Sequence, residues 1–266
     1  MKNHLRSAVG RALVSSGLHR VVLRTKGVIV AFHRVTDALP EDGITRSSRD
    51  FVRFCEFFRQ YFDVLSLSDF VGRVRSGESV GGTIAITFDD GYLDNFEIAA
   101  PILQRFGLPA TFFVTTGMIG TTDVLPWDTE LPRHPGWMTW DHVRGLVQQG
   151  FDIGAHTRTH VDLGRVNGVI AEQEIIGSRQ DLLDQIGRAP AHFAFPFGRP
   201  DNLLEENRRR IIAAGFESCA SCHGGTTGRG ADPFRLYRFG ISPWFRTPEQ
   251  FMFEVLRQPS PNGHTP

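Results

Sequence analysis

The chain has 266 residues, and its 29 basic and 29 acidic side chains balance to a formal net charge of zero. A hydrophobic fraction of 41% and a charged fraction of 22% are ordinary for a globular protein, which excludes a disordered chain, a collagen-like one and a polytopic membrane protein. Neutrality argues against a general nucleic-acid binder, and three cysteines (Cys55, Cys219 and Cys222) cannot build a disulfide framework.

Residues 1–27 form a basic leader. No Asp or Glu precedes Asp37, while Lys2, Arg6, Arg11, Arg20, Arg24, Lys26 and Arg34 are all cationic. The leader lacks the compact apolar stretch of a secretory signal, and no window approaches the ~18 apolar residues of a membrane span. The expected location is therefore the cytoplasm or the cytoplasmic face of the membrane. As a helix, the leader would carry Leu5, Val9, Ala12, Leu13 and Ser16 on one side. It could then make a peripheral contact with anionic lipid, or pack on the domain behind it.

From Val28 onward short apolar runs alternate with longer amphipathic ones. Strands are predicted at Val28–Phe32, Val64–Leu67, Thr83–Phe88, Ala110–Val114, Phe151–Ala155, His192–Phe197, Phe216–Ala220 and Tyr237–Ile241. Most are continuous apolar segments, as expected for parallel strands covered on both faces. Helices are predicted near 50–61, 68–76, 93–106, 140–149, 169–186, 203–214 and 248–258. Gly107, Gly150, Gly187 and Gly215 end four of them, since glycine enters the left-handed conformation without a Cβ penalty. Thr247-Pro248-Glu249-Gln250 opens the last helix with a hydroxyl cap and the spacing of a capping box.

This alternation predicts an α/β fold, either a (β/α) barrel or a doubly wound sheet, as one domain over residues 28–257 with a frayed tail at 258–266. The irregular stretch from Gly117 to Trp137 is long enough to suggest a functional loop. In a barrel, the loops at the C-terminal ends of the strands build the site.

Two clusters lie where strands end. Asp89 and Asp90 close the run Thr83–Phe88 and precede Gly91. Adjacent carboxylates repel and must be desolvated together, although Asp-Gly is also a common turn. The second cluster is His156-Thr157-Arg158-Thr159-His160. On a helical turn, His residues at i and i+4 face one way and can grip one metal. Two His plus a carboxylate is a recurrent catalytic metal set.

Together with their surroundings these clusters resemble the polysaccharide deacetylases of the carbohydrate esterase class. The similarity is carried by TFDDGYLDNF (87–96), ATFFVTTG (110–117), the run from Met138 to Leu163 with its HTRTH, and FAFPFG (193–198); VIVAFHRV (28–35) and LYRFGIS (236–242) add similar-looking blocks. The resemblance implies an irregular (β/α) barrel of about seven to eight strands. It assigns Asp90, His156 and His160 to a divalent metal, most commonly zinc, with Asp89 as general base. Such a metal would lower the pKa of its water toward ~7. The resemblance also places an oxyanion donor at the backbone N–H of Phe197, beside Phe195, Pro196 and Gly198.

Two departures stand out. Ala194 occupies the place where many relatives carry an Arg that orients the base, and Arg238 is the candidate substitute. No L-x-x-H segment lies beyond Arg238 to supply the general acid, and His33, ending the first strand, is the candidate. Tyr92, Trp127, Asp128 and Trp137 are candidates for contacting a sugar. Cys219-Ala220-Ser221-Cys222-His223 matches the c-type haem signature but sits inside the domain's own rhythm, so a strand and its loop are the preferred reading.

The expected function is metal-dependent removal of N-acetyl groups from an amino sugar of a polysaccharide, glycoconjugate or lipid-linked glycan. Rivals are an O-acetyl esterase, a non-sugar amidohydrolase and a catalytically silent glycan-binding barrel. No nucleic acid is expected, and the oligomeric state stays open.

Overall fold

The computed structural model describes residues 2–258. Two helices, α1 (Lys2–Ser15) and α2 (Leu18–Leu23), precede β1 (Val28–Phe32). Next come β2 (Arg34–Val35), β3 (Thr45–Arg46), α3 (Ser48–Tyr61), β4 (Asp63–Leu65), α4 (Leu67–Ser76) and β5 (Thr83–Phe88). A π-helical turn, Asn95–Ala99, runs into α5 (Ala100–Phe106), and then come β6 (Thr111–Val114), α6 (Trp140–Gln148), β7 (Asp152–Ala155) and α7 (Gly168–Ile186). The chain continues through β8 (His192–Ala194), α8 (Glu205–Ala213), β9 (Ser218–Ala220), β10 (Phe239–Gly240) and α9 (Pro248–Arg257). Residues 259–266, most of the predicted tail, lie outside the described residues.

The main sheet runs β10-β1-β5-β6-β7-β8-β9, and every pairing in it is parallel. β4 covers the start of β5 through Asp63↔Thr83, and β6 takes over near its end at Thr87↔Thr111. The two outer edges are brought together by one segment. Leu236 bridges to Ala220 at the end of β9, and three residues later Phe239 pairs with Val30 of β1. The barrel therefore closes along an irregular seam, and Arg238 sits on it. The expected irregular (β/α) barrel is the fold observed.

Alternation along the strands sorts side chains between two cores. Outward-facing Val28, Val30, Phe32, Ile84, Ile86, Phe88 and Phe112 pack under the helices. The Phe-rich composition resolves here: Phe88 stacks between Phe32 and Phe112 at centroid distances of 5.5 and 4.9 Å, and Phe51 of α3 meets Phe32 edge-on. Burying such a ring is worth ~1.5–3 kcal/mol. The inward-facing residues are smaller, Ala31, Ala85, Thr87, Ala194 and Ala220, joined by Phe113. Gly154 makes room for that ring, because a Cβ there would lie 2.3 Å from Phe113 Cδ1. Leu67, Phe70, Val71 and Val74 of α4 plug the barrel below.

Gly107, Gly150, Gly187 and Gly215 all adopt positive φ, as a left-handed helix stop requires. The Thr247 hydroxyl accepts the Gln250 N–H, but Gln250 Oε1 accepts the Arg246 N–H rather than that of Thr247, so the box closes one residue early. The leader is helical and packs on α9. Gly10 approaches so closely that a Cβ would meet Glu249 O at 1.9 Å, and the Thr247 hydroxyl donates to Ser7 Oγ at 3.1 Å.

Candidate active site

Of the predicted site residues, His33, Asp89, Asp90, Trp127, His156, His160, Phe195 and Phe197 line a cavity of ≈ 650 Å³ at the C-terminal end of the strands. Asp89 and Asp90 enter it from the end of β5. The Asp89 N–H donates to Phe32 O, which extends the β1–β5 ladder by one residue. Asp90 then turns to φ +76°, a left-handed conformation, and Gly91 to +93°. His160 (φ +60°), Thr157 (+62°) and Phe197 (+60°) are the other non-glycine residues of positive φ among the described residues, so all such strain lies at this end of the barrel.

Asp90 Oδ1 lies 3.4 Å from His156 Nε2 and 3.2 Å from His160 Nε2. The ring nitrogen His156 Nδ1 is 2.8 Å from Ala194 O and donates to it, which turns Nε2 toward Asp90. Asp90 Oδ1 is buried and accepts no hydrogen bond from any described residue. A buried carboxylate oxygen facing two imidazole nitrogens fits a shared cation. Donors held tetrahedrally ~2.0–2.1 Å from one centre stand ~3.3–3.4 Å apart, close to the spacings here. Among the described residues this trio is the group with metal-ligand geometry. The two histidines do not share a helical turn, which corrects the expectation from their spacing. Residues 156–162 are loop, and positive φ at Thr157 and His160 brings the rings together. The Thr157 hydroxyl holds that turn by accepting the His160 N–H at 3.0 Å.

Asp89 is gripped from the seam. Arg238 Nη1 donates to Oδ1 and Nη2 to Oδ2, both at 2.7 Å, in a bidentate pair with both partners buried. Arg238 is held in turn: Nε donates to Ser221 O, Nη1 to Thr87 Oγ1, and the guanidinium carbon lies 5.2 Å from the Phe113 ring centroid. Burial by itself would raise the Asp89 pKa, but Arg238, with His156 adding to it, outweighs that and holds the carboxyl below its ordinary range. His33 stands on the opposite side, with Nε2 4.0 Å from Asp89 Oδ2 and its side chain 20% exposed. Burial lowers its pKa, against the pull of Asp90 and Asp89.

The expected sugar contacts divide. Trp127 and Phe197 line the cavity, Phe197 being 45% exposed, and Phe195 adds to the wall. Pro196 and Gly198 are buried beneath Phe197. Tyr92, Asp128 and Trp137 are buried as well, and this corrects their expected role. Tyr92 stacks on Trp137 at 4.7 Å and donates its hydroxyl proton to Asp128 Oδ2 at 2.7 Å. Trp127 Nε1 donates to that same hydroxyl, and Arg34 Nη1 donates to Asp128 Oδ1. The three residues form the back of the wall and hold Trp127 edge-on against His160 at 4.8 Å.

Arg34 is a cavity residue that the sequence pattern alone did not single out. It is fully buried, and its other donors reach Asp42 and Thr45 Oγ1. An arginine next to His33, between apolar residues at a strand end, was the available signal. Cys222 lines the cavity and burial pushes its thiol up to about 11; Cys219 is buried in β9 with its thiol toward Phe234 O.

The polysaccharide deacetylase family model matches residues 76–214, just over half of the chain, and the chain belongs to that family. It is 26% identical to YxkH of Bacillus subtilis (strain 168) over 160 residues, covering 60% of this chain and 52% of that protein. It is 28% identical to a chitin deacetylase of Arthroderma benhamiae over 130 residues, 47% of this chain and 30% of that one. The chain thus spans about half or less of the length of these curated relatives. Among solved structures, Streptococcus pyogenes deacetylase PplD in complex with acetate aligns with a TM-score of 0.73 at 19% identity, covering 86% of this chain and 97% of that one. IcaB from Ammonifex degensii aligns with 0.72, also at 19% identity and with the same coverage. At such identity the structural likeness establishes the fold.

Proposed function

We propose that the protein hydrolyses the N-acetyl group of an amino sugar within an acetylated glycan. Asp90, His156 and His160 would hold a divalent cation, zinc by the chemistry of one carboxylate and two imidazoles. When bound there, such an ion supplies Lewis acidity toward water and the acyl oxygen. The remaining roles fall to the chain's own side chains. Asp89, fixed by Arg238 in its charged form, takes a proton from the attacking water as oxygen bonds to the acyl carbon. The Phe197 N–H, which donates to no described residue, stabilises the oxyanion that develops. The C–N bond then breaks, and His33 Nε2 protonates the departing nitrogen, leaving acetate and a free amine. Burial keeps His33 largely neutral near pH 7, so its proton is resupplied during turnover. Asp89, which has just gained one, is the nearest source, across a gap that one water bridges.

The observation that carries this reading is the juxtaposition, in one cavity, of the Asp90–His156–His160 trio with an arginine-clamped carboxylate facing a histidine. Acetate release from N-acetylglucosamine oligomers and bacterial glycans should be chelator-sensitive. It should fall about 10²–10⁴-fold in Asp89→Asn and comparably in His33→Gln. His33→Gln at near wild-type rate with metal retained removes that residue from the mechanism. No chelator-sensitive release from any acetylated glycan favours a silent glycan-binding barrel.

A further inference from the structure

The leader helices present their apolar side the wrong way round for packing. In α1 the buried positions are Ser7, Gly10 and Val14, which share one face and lie against α9. The opposite pole carries Leu5, Val9 and Ala12, all exposed, with Leu5 67% accessible. In α2, His19 and Leu23 are buried, while Leu18 and Val21 face solvent, Val21 66% accessible. A helix stabilised only by packing buries its largest apolar residues and exposes its small polar ones. Here Ser7 and Gly10 are inside and Leu5 and Val9 outside. A groove of ≈ 230 Å³ lined by Leu5, Val9 and Phe253, with Arg6 and Arg257 at its sides, continues the stripe onto α9.

The charges around this stripe select its occupant. Arg11, Arg20 and Arg24 are exposed and form no ion pair with any described residue, whereas Arg6 is paired with Glu254. The segment up to Thr36 offers them no carboxylate. A second copy meeting this face across a two-fold axis would set arginine against arginine. An apolar stripe flanked by unpaired arginines matches the boundary of an anionic bilayer, where alkyl side chains enter the interface and guanidinium groups meet lipid phosphates. No helix among the described residues is long and apolar enough to cross a membrane.

We propose that α1 and α2 form a docking surface for anionic lipid. The surface adjoins the barrel mouth: Arg11 and Ser7 share a cavity with Arg246 and Thr247, and Ser242, just upstream, lines the cavity that holds Asp89. The proposal stands whether or not the reaction proposed above is correct.

The test is flotation of the full chain with phosphatidylcholine vesicles, with and without phosphatidylglycerol. Binding is expected with phosphatidylglycerol alone and should weaken as salt rises. Arg11→Gln/Arg20→Gln/Arg24→Gln should weaken partitioning on the order of a hundredfold. Leu5→Glu/Val21→Glu should abolish it with unchanged thermal melting, because both positions are exposed. Absence of binding to phosphatidylglycerol vesicles at physiological salt overturns the proposal, as does binding that both variants retain. A solution dimer that Leu5→Glu/Val21→Glu converts to monomer assigns the face to a second copy and also overturns it.

Discussion

The two ends of the barrel are built on opposite terms. At the N-terminal end, α4 closes the interior with Leu67, Phe70, Val71 and Val74, and the buried His192 finds partners for both ring nitrogens. His192 lies between Ser68 Oγ and Ser218 Oγ, each at 2.9 Å, and Ser68 donates to Asp152. At the C-terminal end, four non-glycine residues take left-handed backbone conformations. A carboxylate–guanidinium pair is buried, and Asp90 Oδ1 and His160 Nδ1 are left without hydrogen bonds. The same strands supply both ends, so the difference comes from the loops at the strand ends rather than from the sheet. Left-handed backbone strain gathers where chemistry is proposed, and the closed end supplies the stability that tolerates it.

Substitutions at each end can break this contrast. The largest effect is expected for Arg238→Met, which leaves Asp89 buried and unpaired. It should lower stability by about 3–5 kcal/mol and cut acetate release at least about 10²-fold. Adding Asp89→Asn should restore stability, measured by urea melts, without restoring activity. If single and double variants are equally unstable, the pair is not the strained element. Phe70→Ala at the closed end should cost about 3–5 kcal/mol, with kcat unchanged at temperatures where the fold persists. A fall in kcat parallel to stability would join the two ends into one functional unit.

The smallest effect is a pH dependence. Burial is the main cause lowering the His192 pKa from 6.5 to about 4. Between about pH 6.5 and about 4 the unfolded chain binds a proton that the folded one refuses, so stability falls as pH falls through that window. The loss approaches ~3 kcal/mol. His192→Asn should flatten the slope of melting midpoint against pH. An unchanged slope would place the acid sensitivity elsewhere.

Much of this was legible in the sequence, for a physical reason. Strands covered on both faces are continuous apolar runs, so all eight predicted strands appear, with β1 and β5 matching to the residue and the others shorter. The small pair β2 and β3 has two residues in each strand, too few for any period to show. The carboxylates and histidines were readable because their types and spacing carry the chemistry, and the structure gathers Asp89, Asp90, His156, His160 and His33 in one cavity, with Arg238 buried behind Asp89. The shape of the HTRTH turn was not readable, since positive φ at Thr157 and His160 is rare for non-glycine residues and the spacing of the histidines does not signal it. Nor could the direction of loop side chains be read. Trp127 and Trp137 look alike in sequence, yet one lines the cavity and the other is buried on Tyr92.

The seam at residues 236–240 ties the base to the integrity of the closure. Arg238 reaches Asp89 only while Leu236 is bridged to β9 and Phe239 to β1. The seam's strand β10 is only two residues long, and such short elements open early in native-state fluctuations. A fluctuation that parts the seam withdraws the guanidinium and leaves the base carboxyl without its counter-charge, while the remaining strands stay paired. Loss of function would then precede unfolding on heating, and amide exchange at Phe239 and Gly240 would report it before any other strand.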